Sequence, residues 1–194
     1  MIVLASNSAS RRAMLDAAKV PYEAAPANID ERAVEAQLRG RKAPDIALAL
    51  AGAKAAALVP SHPGRLILGS DSLVSVEGRR FDKPADRAMA AQHLRFFSGK
   101  KMELHSAAAL VRDDEILWQH GAMASLWVRQ LSDAFIESYL DVEWPAVAQC
   151  VGVFRIEALG AQLFDAIEGD QFTVLGMPLL PVLGALREWG ALLK

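Results

Sequence analysis

The chain has a single cysteine, Cys150, among 194 residues. One cysteine closes no internal disulfide and builds no cysteine-rich zinc site, which fits a reducing compartment. It suits a small buried hydrophobe better than a nucleophile. Basic residues are not in excess either. The 21 Lys and Arg stand against 23 Asp and Glu, for a net charge of -2. Duplex nucleic acid needs a basic surface and is not an expected partner, whereas a small phosphorylated ligand needs only a local cluster of cations. The longest apolar run, Ile46 to Pro60, is interrupted by Gly52 and Lys54. It reads as too short and too charged to span a bilayer. Met1–Ser6 leads into Arg11-Arg12 with no basic stretch ahead of a long apolar one, so no secretory leader is expected. A cytoplasmic chain without a membrane partner is the expectation. Gly-x-Ser-x-Gly, Gly-x-Gly-x-x-Gly and Walker-type phosphate loops are all missing, and His62, His93, His105 and His120 lack metal-ligand spacing. Serine-hydrolase, dinucleotide-binding, kinase and GTPase readings therefore have little support.

Apolar residues make up 53% of the chain and charged residues 23%, enough to build a core without covalent staples. The length suits one domain over 1–194. Met1 to Ala5 reads as a buried strand, followed by a helix capped at Ser8 or Ser10, and Tyr22 to Pro26 as a second extended segment. Asn28 to Lys42 is polar and charged, with an exposed break at Arg39–Lys42. Ala43 to Val59 reads as a helix, ended by Pro60 and Pro63-Gly64. Leu66 to Val76 and Arg80 to Lys83 form a hairpin about Gly78, and Ala85 to Phe97 a helix. Met102 to Val111 and Glu115 to Val128 are two long strands turning at Asp113-Asp114. Ser132 caps a helix ending near Asp141. Ala146 to Ile156 is ambiguous, Leu159 to Ile167 has helical spacing, and Pro178 to Trp189 is a helix. Hairpins mixed with strand–helix alternation predict an α/β fold with a mixed sheet and helices around it.

Four places carry candidate chemistry. Ser6, Ser8 and Ser10 follow a strand, and Arg11-Arg12 opens a helix. Hydroxyls, free N–H groups at a helix start and guanidinium forks make an anion site, though the same residues also make an ordinary capped helix. Asp30-Glu31 can help hold magnesium or manganese, or simply cap a helix. Lys54 is the only charge between Ile46 and Val59. It either reaches a buried anion or snorkels to water. Asp71 is the strongest signal. It interrupts a strand pattern, flanked only by Gly69, Ser70 and Ser72. Burying a carboxylate there is costly unless it is paired or coordinated, and such a broken local rule often marks a site. Lys83 offers a partner: a three-residue loop Val76-Glu77-Gly78 would set it directly opposite Asp71, whereas a two-residue loop would put the pair on opposite faces. A carboxylate, a lysine and arginines together suit phosphoryl chemistry.

Taken in order, these motifs resemble the Maf-like family. The carriers are Leu4-Ala5-Ser6-x-Ser8-x-x-Arg11-Arg12-x-x-Leu15, Ile29-Asp30-Glu31, Ala53-Lys54-Ala55, Gly69-Ser70-Asp71 with Lys83-Pro84, Leu94 through Ser98-Gly99-Lys100, and Glu168-Gly169-Asp170 through Val174-Leu175-Gly176-Met177-Pro178-Leu179. The resemblance implies an elongated mixed sheet flanked by helices, two lobes with a central cleft, and a homodimer. It implies a pyrophosphatase that cleaves a nucleoside triphosphate between the alpha and beta phosphates, with a divalent cation (magnesium, manganese or cobalt). Matching positions imply Asp71, Glu31 and Lys83 as catalytic, with Glu31 and Asp71 on the metal. They imply Ser6, Ser8, Ser10, Arg11, Arg12 and Lys54 on the substrate, with Ser72 and Glu157 concerned with the base. The run Gly152-Val153-Phe154-Arg155-Ile156-Glu157-Ala158 is more similar to the branch acting on 7-methyl-GTP than to the pyrimidine branch, which carries glutamine where Glu157 stands. A dTTP/UTP pyrophosphatase and a nucleotide-binding regulator of cell division with little turnover are the alternatives.

Overall fold

The computed structural model describes residues 1–194. Strand β1 (Ile2–Leu4) is three apolar residues, all buried. Ser8 ends the loop after it and caps helix α1 (Ala9–Ala17) by accepting from the Arg11 N–H. The chain then returns as β2 (Tyr22–Ala24), parallel to β1. Helix α2 (Glu31–Gln37) is capped by Asp30 and buries no residue, so the polar and charged stretch holds a short surface helix. Helix α3 (Ala43–Ala56) leads through a 3-10 segment (Val59–Ser61) and a loop to β3 (Ile67–Val76), which also runs parallel to β1.

Strand β1 thus has β2 on one side and β3 on the other. Connections leave it in both directions, so this is a topological switch point. Ligands in open α/β sheets bind beyond the carboxyl end of such a strand. Here that end is the Ala5–Ser8 loop.

The remaining strands are β4 (Arg79–Phe81), β5 (Lys101–Arg112), β6 (Glu115–Val128) and β7 (Phe164–Glu168). Together they make a seven-stranded mixed sheet in the order β2-β1-β3-β5-β6-β7, with β4 paired to β3. The helices α4 (Arg87–Phe97), α5 (Asp133–Glu143), α6 (Gln171–Val174) and α7 (Leu179–Glu188) complete the mixed α/β fold. Leu159 to Ile167 departs from expectation. It is a 3-10 turn followed by edge strand β7, paired antiparallel with β6. Its apolar residues happen to fall at helical spacing, and as an edge strand β7 lacks a buried alternating face.

The chain forms two compact units. The first comprises Met1–Ser72, His105–Ala122 and Asp170–Lys194; the second comprises Leu73–Leu104 and Met123–Gly169. In the first unit, strand alternation sorts the core into two faces. Ile2, Leu4, Leu66 and Leu68 pack with Met14, Leu15 and Leu179. Val3, Ala5 and Ile67 pack with Ala55, Leu58 and Val59 from the other side. Small residues let α3 approach closely. A Cβ on Gly69 would overlap the Ala51 carbonyl oxygen and lie 2.9 Å from the Ala55 nitrogen. The helical stretch Ala43–Ser61 has 19 residues, and by length and composition alone would suffice to cross a membrane, contrary to the expectation from its interruptions. In this fold it lies against β3, with Ala47, Leu50, Ala51 and Ala55 buried.

Gly69→Ala is expected to lower stability by about 1–3 kcal/mol, because helix backbone and not a flexible side chain blocks the new methyl group. Denaturant melts check this. An unchanged midpoint would mean α3 does not rest on the strand at Gly69.

Candidate active site

The alternation that sorts the core also sorts the site. Asp71 follows Ile67 and Gly69 on the face that meets α3. Lys54, near the end of α3, reaches it there, with Nζ 2.5 Å from Asp71 Oδ1. The same ammonium lies 2.9 Å from Glu31 Oε1, in the first turn of α2. Two carboxylates distant in sequence therefore meet at one cation. The Asp71 side chain is only 8% exposed, that of Glu31 49%.

Ser70 and Ser72 point to the opposite face, that of Leu68. Both donate to the Gly176 carbonyl oxygen, at 3.2 and 2.9 Å. Arg11 Nε donates to the same oxygen at 3.0 Å. Gly176 follows α6 with φ +101°, a conformation that suits glycine, and this turn aims its carbonyl at three donors. Arg11 also donates to Ser6 Oγ at 3.3 Å and Ser72 Oγ at 3.2 Å. Ser106 Oγ lies 3.0 Å from Ser72 Oγ and donates to the Thr173 carbonyl. Ser6 accepts from the Ser8 N–H at 3.2 Å, tightening the loop at the switch point. A guanidinium has five N–H donors, more than these three contacts use.

The two faces form one electrostatic site. Burial lowers the Arg11 pKa, while Asp71 and then Glu31 pull it back up. Burial also pushes the Asp71 carboxyl above its ordinary value; Lys54 and Arg11 oppose this shift, and Glu31 adds to it. Desolvation wins, as expected when a carboxylate leaves water for a strand interior.

The structure brings together Ser6, Ser8, Arg11, Glu31, Lys54, Asp71 and Ser72. Arg12 it does not: successive helical residues point in different directions, and Arg12 is exposed. Ser10 is half-buried on the first turn of α1. Lys83 and Glu157 belong to the second unit, and both are exposed. The expected pairing of Lys83 opposite Asp71 is overturned. The hairpin aligns Val74 with Phe81 and Val76 with Arg79, so its loop is Glu77-Gly78, two residues. Both have positive φ, 53° and 73°, as a tight primed turn requires. That register sets Lys83 in line with Ser72, and the ladder ends at Phe81. Burial raises the Cys150 thiol to about 11, which suits its reading as an inert hydrophobe.

No group of three or more His, Cys, Asp or Glu side chains is placed to hold a metal ion. Glu31 and Asp71 are two carboxylates at one point. Magnesium is commonly bound by one or two carboxylates, with substrate phosphates and water completing its shell. The donor set fits that pattern.

The model for Maf-like proteins matches residues 1–189. The chain belongs to the Maf-like family. Among its curated relatives, this Maf-like protein is 50% identical over 188 residues to a nucleoside triphosphate pyrophosphatase of Rhodopseudomonas palustris, covering 96% of this chain and 93% of that one. It is 45% identical over 194 residues to a 7-methyl-GTP pyrophosphatase of Rhizobium meliloti, covering 99% and 98%. A solved nucleoside-triphosphatase, a dITP/XTP pyrophosphatase of Mycobacterium abscessus, shares 20% identity at a TM-score of 0.38 over 66% of this chain and 72% of that one. A likeness that loose bears on neither fold nor activity.

A carboxyl group with a raised folded-state pKa holds its proton more tightly folded than unfolded. Its contribution to stability is full below the ordinary carboxylate range and is lost as pH rises through the raised pKa. Asp71→Asn should therefore raise Tm at pH 7, with the gain shrinking as pH falls through the carboxylate range. Lys54→Met should lower Tm by leaving the carboxylate without its nearest cation. A wild type more stable than Asp71→Asn at pH 7 would mean that Lys54 outweighs burial.

Proposed function

We propose that this Maf-like protein is a nucleoside triphosphate pyrophosphatase that hydrolyses the bond between the alpha and beta phosphates, yielding monophosphate and pyrophosphate. The observation that carries this reading is the buried Asp71 beside Lys54 and Glu31, in the middle of β3 and just beyond the carboxyl end of the switch-point strand β1. The names of the relatives at 50% and 45% identity support it.

Asp71 accepts the proton of the attacking water. Its raised pKa makes it a stronger base than an exposed aspartate, and general bases of this kind contribute about 10²–10⁴-fold. Lys54 neutralises phosphate charge as it builds, and Arg11 does so from the other face of β3. The serine–Gly176 network holds Arg11 in place before substrate arrives. Glu31 and Asp71 would hold a divalent cation such as magnesium, manganese or cobalt, which supplies Lewis-acid stabilisation of the phosphate oxygens when bound. Lys83 would contribute positive charge toward the phosphates, without a role in pairing Asp71.

For the base, 7-methyl-GTP is the proposed substrate. The Glu157 carboxylate can accept from the guanine N1–H and exocyclic amine, and can offset the positive charge of the methylated ring. A glutamine would suit a uracil or thymine edge.

Purified protein incubated with magnesium or manganese and 7-methyl-GTP, GTP, UTP or dTTP tests the assignment through pyrophosphate release. The highest kcat/KM is expected for 7-methyl-GTP. Preference for UTP or dTTP would move the protein to the pyrimidine reading. No release from any nucleotide would leave only a binding or regulatory role.

A further inference from the structure

Two carboxylates of this protein are buried, Asp71 and Glu143, at 6% and 2% exposure. The proposed mechanism uses only the first. Glu143 ends α5 in the second unit, and both of its oxygens are engaged. Oε2 accepts from Arg155 Nε at 2.8 Å, and Oε1 from the Leu159 backbone N–H at 3.2 Å. These donors stand at the two ends of one turn. Its middle residue, Glu157, equidistant in sequence from both, is exposed.

The segment between Cys150 and Ala158 has neither helix nor strand to shape it. Single contacts do that work instead. Tyr139, another buried residue of α5, donates its hydroxyl proton to the Val153 carbonyl at 2.9 Å. The Ala158 N–H bonds back to the Arg155 carbonyl at 3.1 Å. A Cβ at Gly160 would collide with the backbone of Arg155, so only glycine lets the chain close over it. Val153 is fully buried with φ +56°, a conformation a β-branched residue adopts only when its surroundings impose it. A neutral hydrogen bond would have sufficed to close a turn. A buried charge gripping both ends restricts where the residue between them can go.

The geometry points to Glu143 as the positioning residue for base recognition: it clamps the Arg155–Leu159 turn and so fixes where Glu157 presents its carboxylate. This rests on the reading of Glu157 as the base-contacting residue. Glu143 does not touch substrate; it acts through the turn.

Steady-state kinetics on 7-methyl-GTP, GTP and UTP for wild type, Glu143→Gln, Glu157→Gln and the double variant test this. Glu143→Gln keeps the volume and removes the charge. Its preference for 7-methyl-GTP over UTP should fall about tenfold, through KM, with kcat changed by less than about twofold. The double variant should rank nucleotides as Glu157→Gln does, because the two residues act in series. Equal losses on every nucleotide, or effects that multiply in the double variant, would reduce Glu143 to a structural residue and overturn the proposal. An unchanged ranking in Glu157→Gln would refute the base-contact reading itself, while pyrophosphate release in all variants would leave the catalytic reading standing. Should Glu143→Gln not fold, Arg155→Lys keeps the charge but loses the Nε donor. It should show the same fall in preference, and a wild-type ranking there would overturn the proposal.

Discussion

A carboxylate inside a sheet has to be answered by a cation, and the contact between Asp71 and Lys54 is that answer. Much of the first unit can be read as the means of making it. Lys54 reaches Asp71 only because α3 lies against β3, and α3 lies there because Gly69 has no side chain and Ala51 and Ala55 are small. Glu31 joins from the first turn of α2, placed by the Asp30 cap. Desolvation, with Glu31 adding to it, still outweighs Lys54 and Arg11 and leaves Asp71 more basic than a surface aspartate. A site that kept Asp71 fully comfortable would be more stable and a poorer base.

Strand alternation divides the remaining labour. Odd positions of β3 face α3 and carry the carboxylate; even positions carry Ser70 and Ser72 to the other side, where they share the Gly176 carbonyl with Arg11. Arg11 is thereby held before any ligand arrives, which is the condition for electrostatic preorganisation. The switch point at β1 explains why these pieces meet where they do: the Ser6–Ser8 loop, α1 and the middle of β3 all converge beyond its carboxyl end.

Much of this was legible in the sequence. Asp71 stood out by breaking strand propensity, Lys54 by being alone in an apolar helix, and Ser8 by its capping position. The wrong partner, Lys83, came from loop parity. The sequence Val76-Glu77-Gly78-Arg79 suits a loop of two or three residues, and the choice turned on Glu77 adopting positive φ, which side-chain chemistry does not announce. Arg11 and Arg12 look equivalent in a string but diverge on a helix. The Gly176 carbonyl was invisible because a backbone acceptor leaves no mark on composition; only its place in a family motif hinted at it. Glu143 went unnoticed for a related reason. Its importance lies in burial and in which two donors it grips, and neither is a property of a glutamate in a helical pattern.

The central claim is that Asp71 is the base of a phosphate-anhydride hydrolysis. Its most direct test is the turnover of Asp71→Asn at saturating nucleotide and divalent cation, in protein shown by its melting curve to be folded. The account predicts a fall in kcat of about 10²–10⁴-fold. A variant that turns over within about tenfold of wild type would contradict it, since a neutral amide cannot accept the proton.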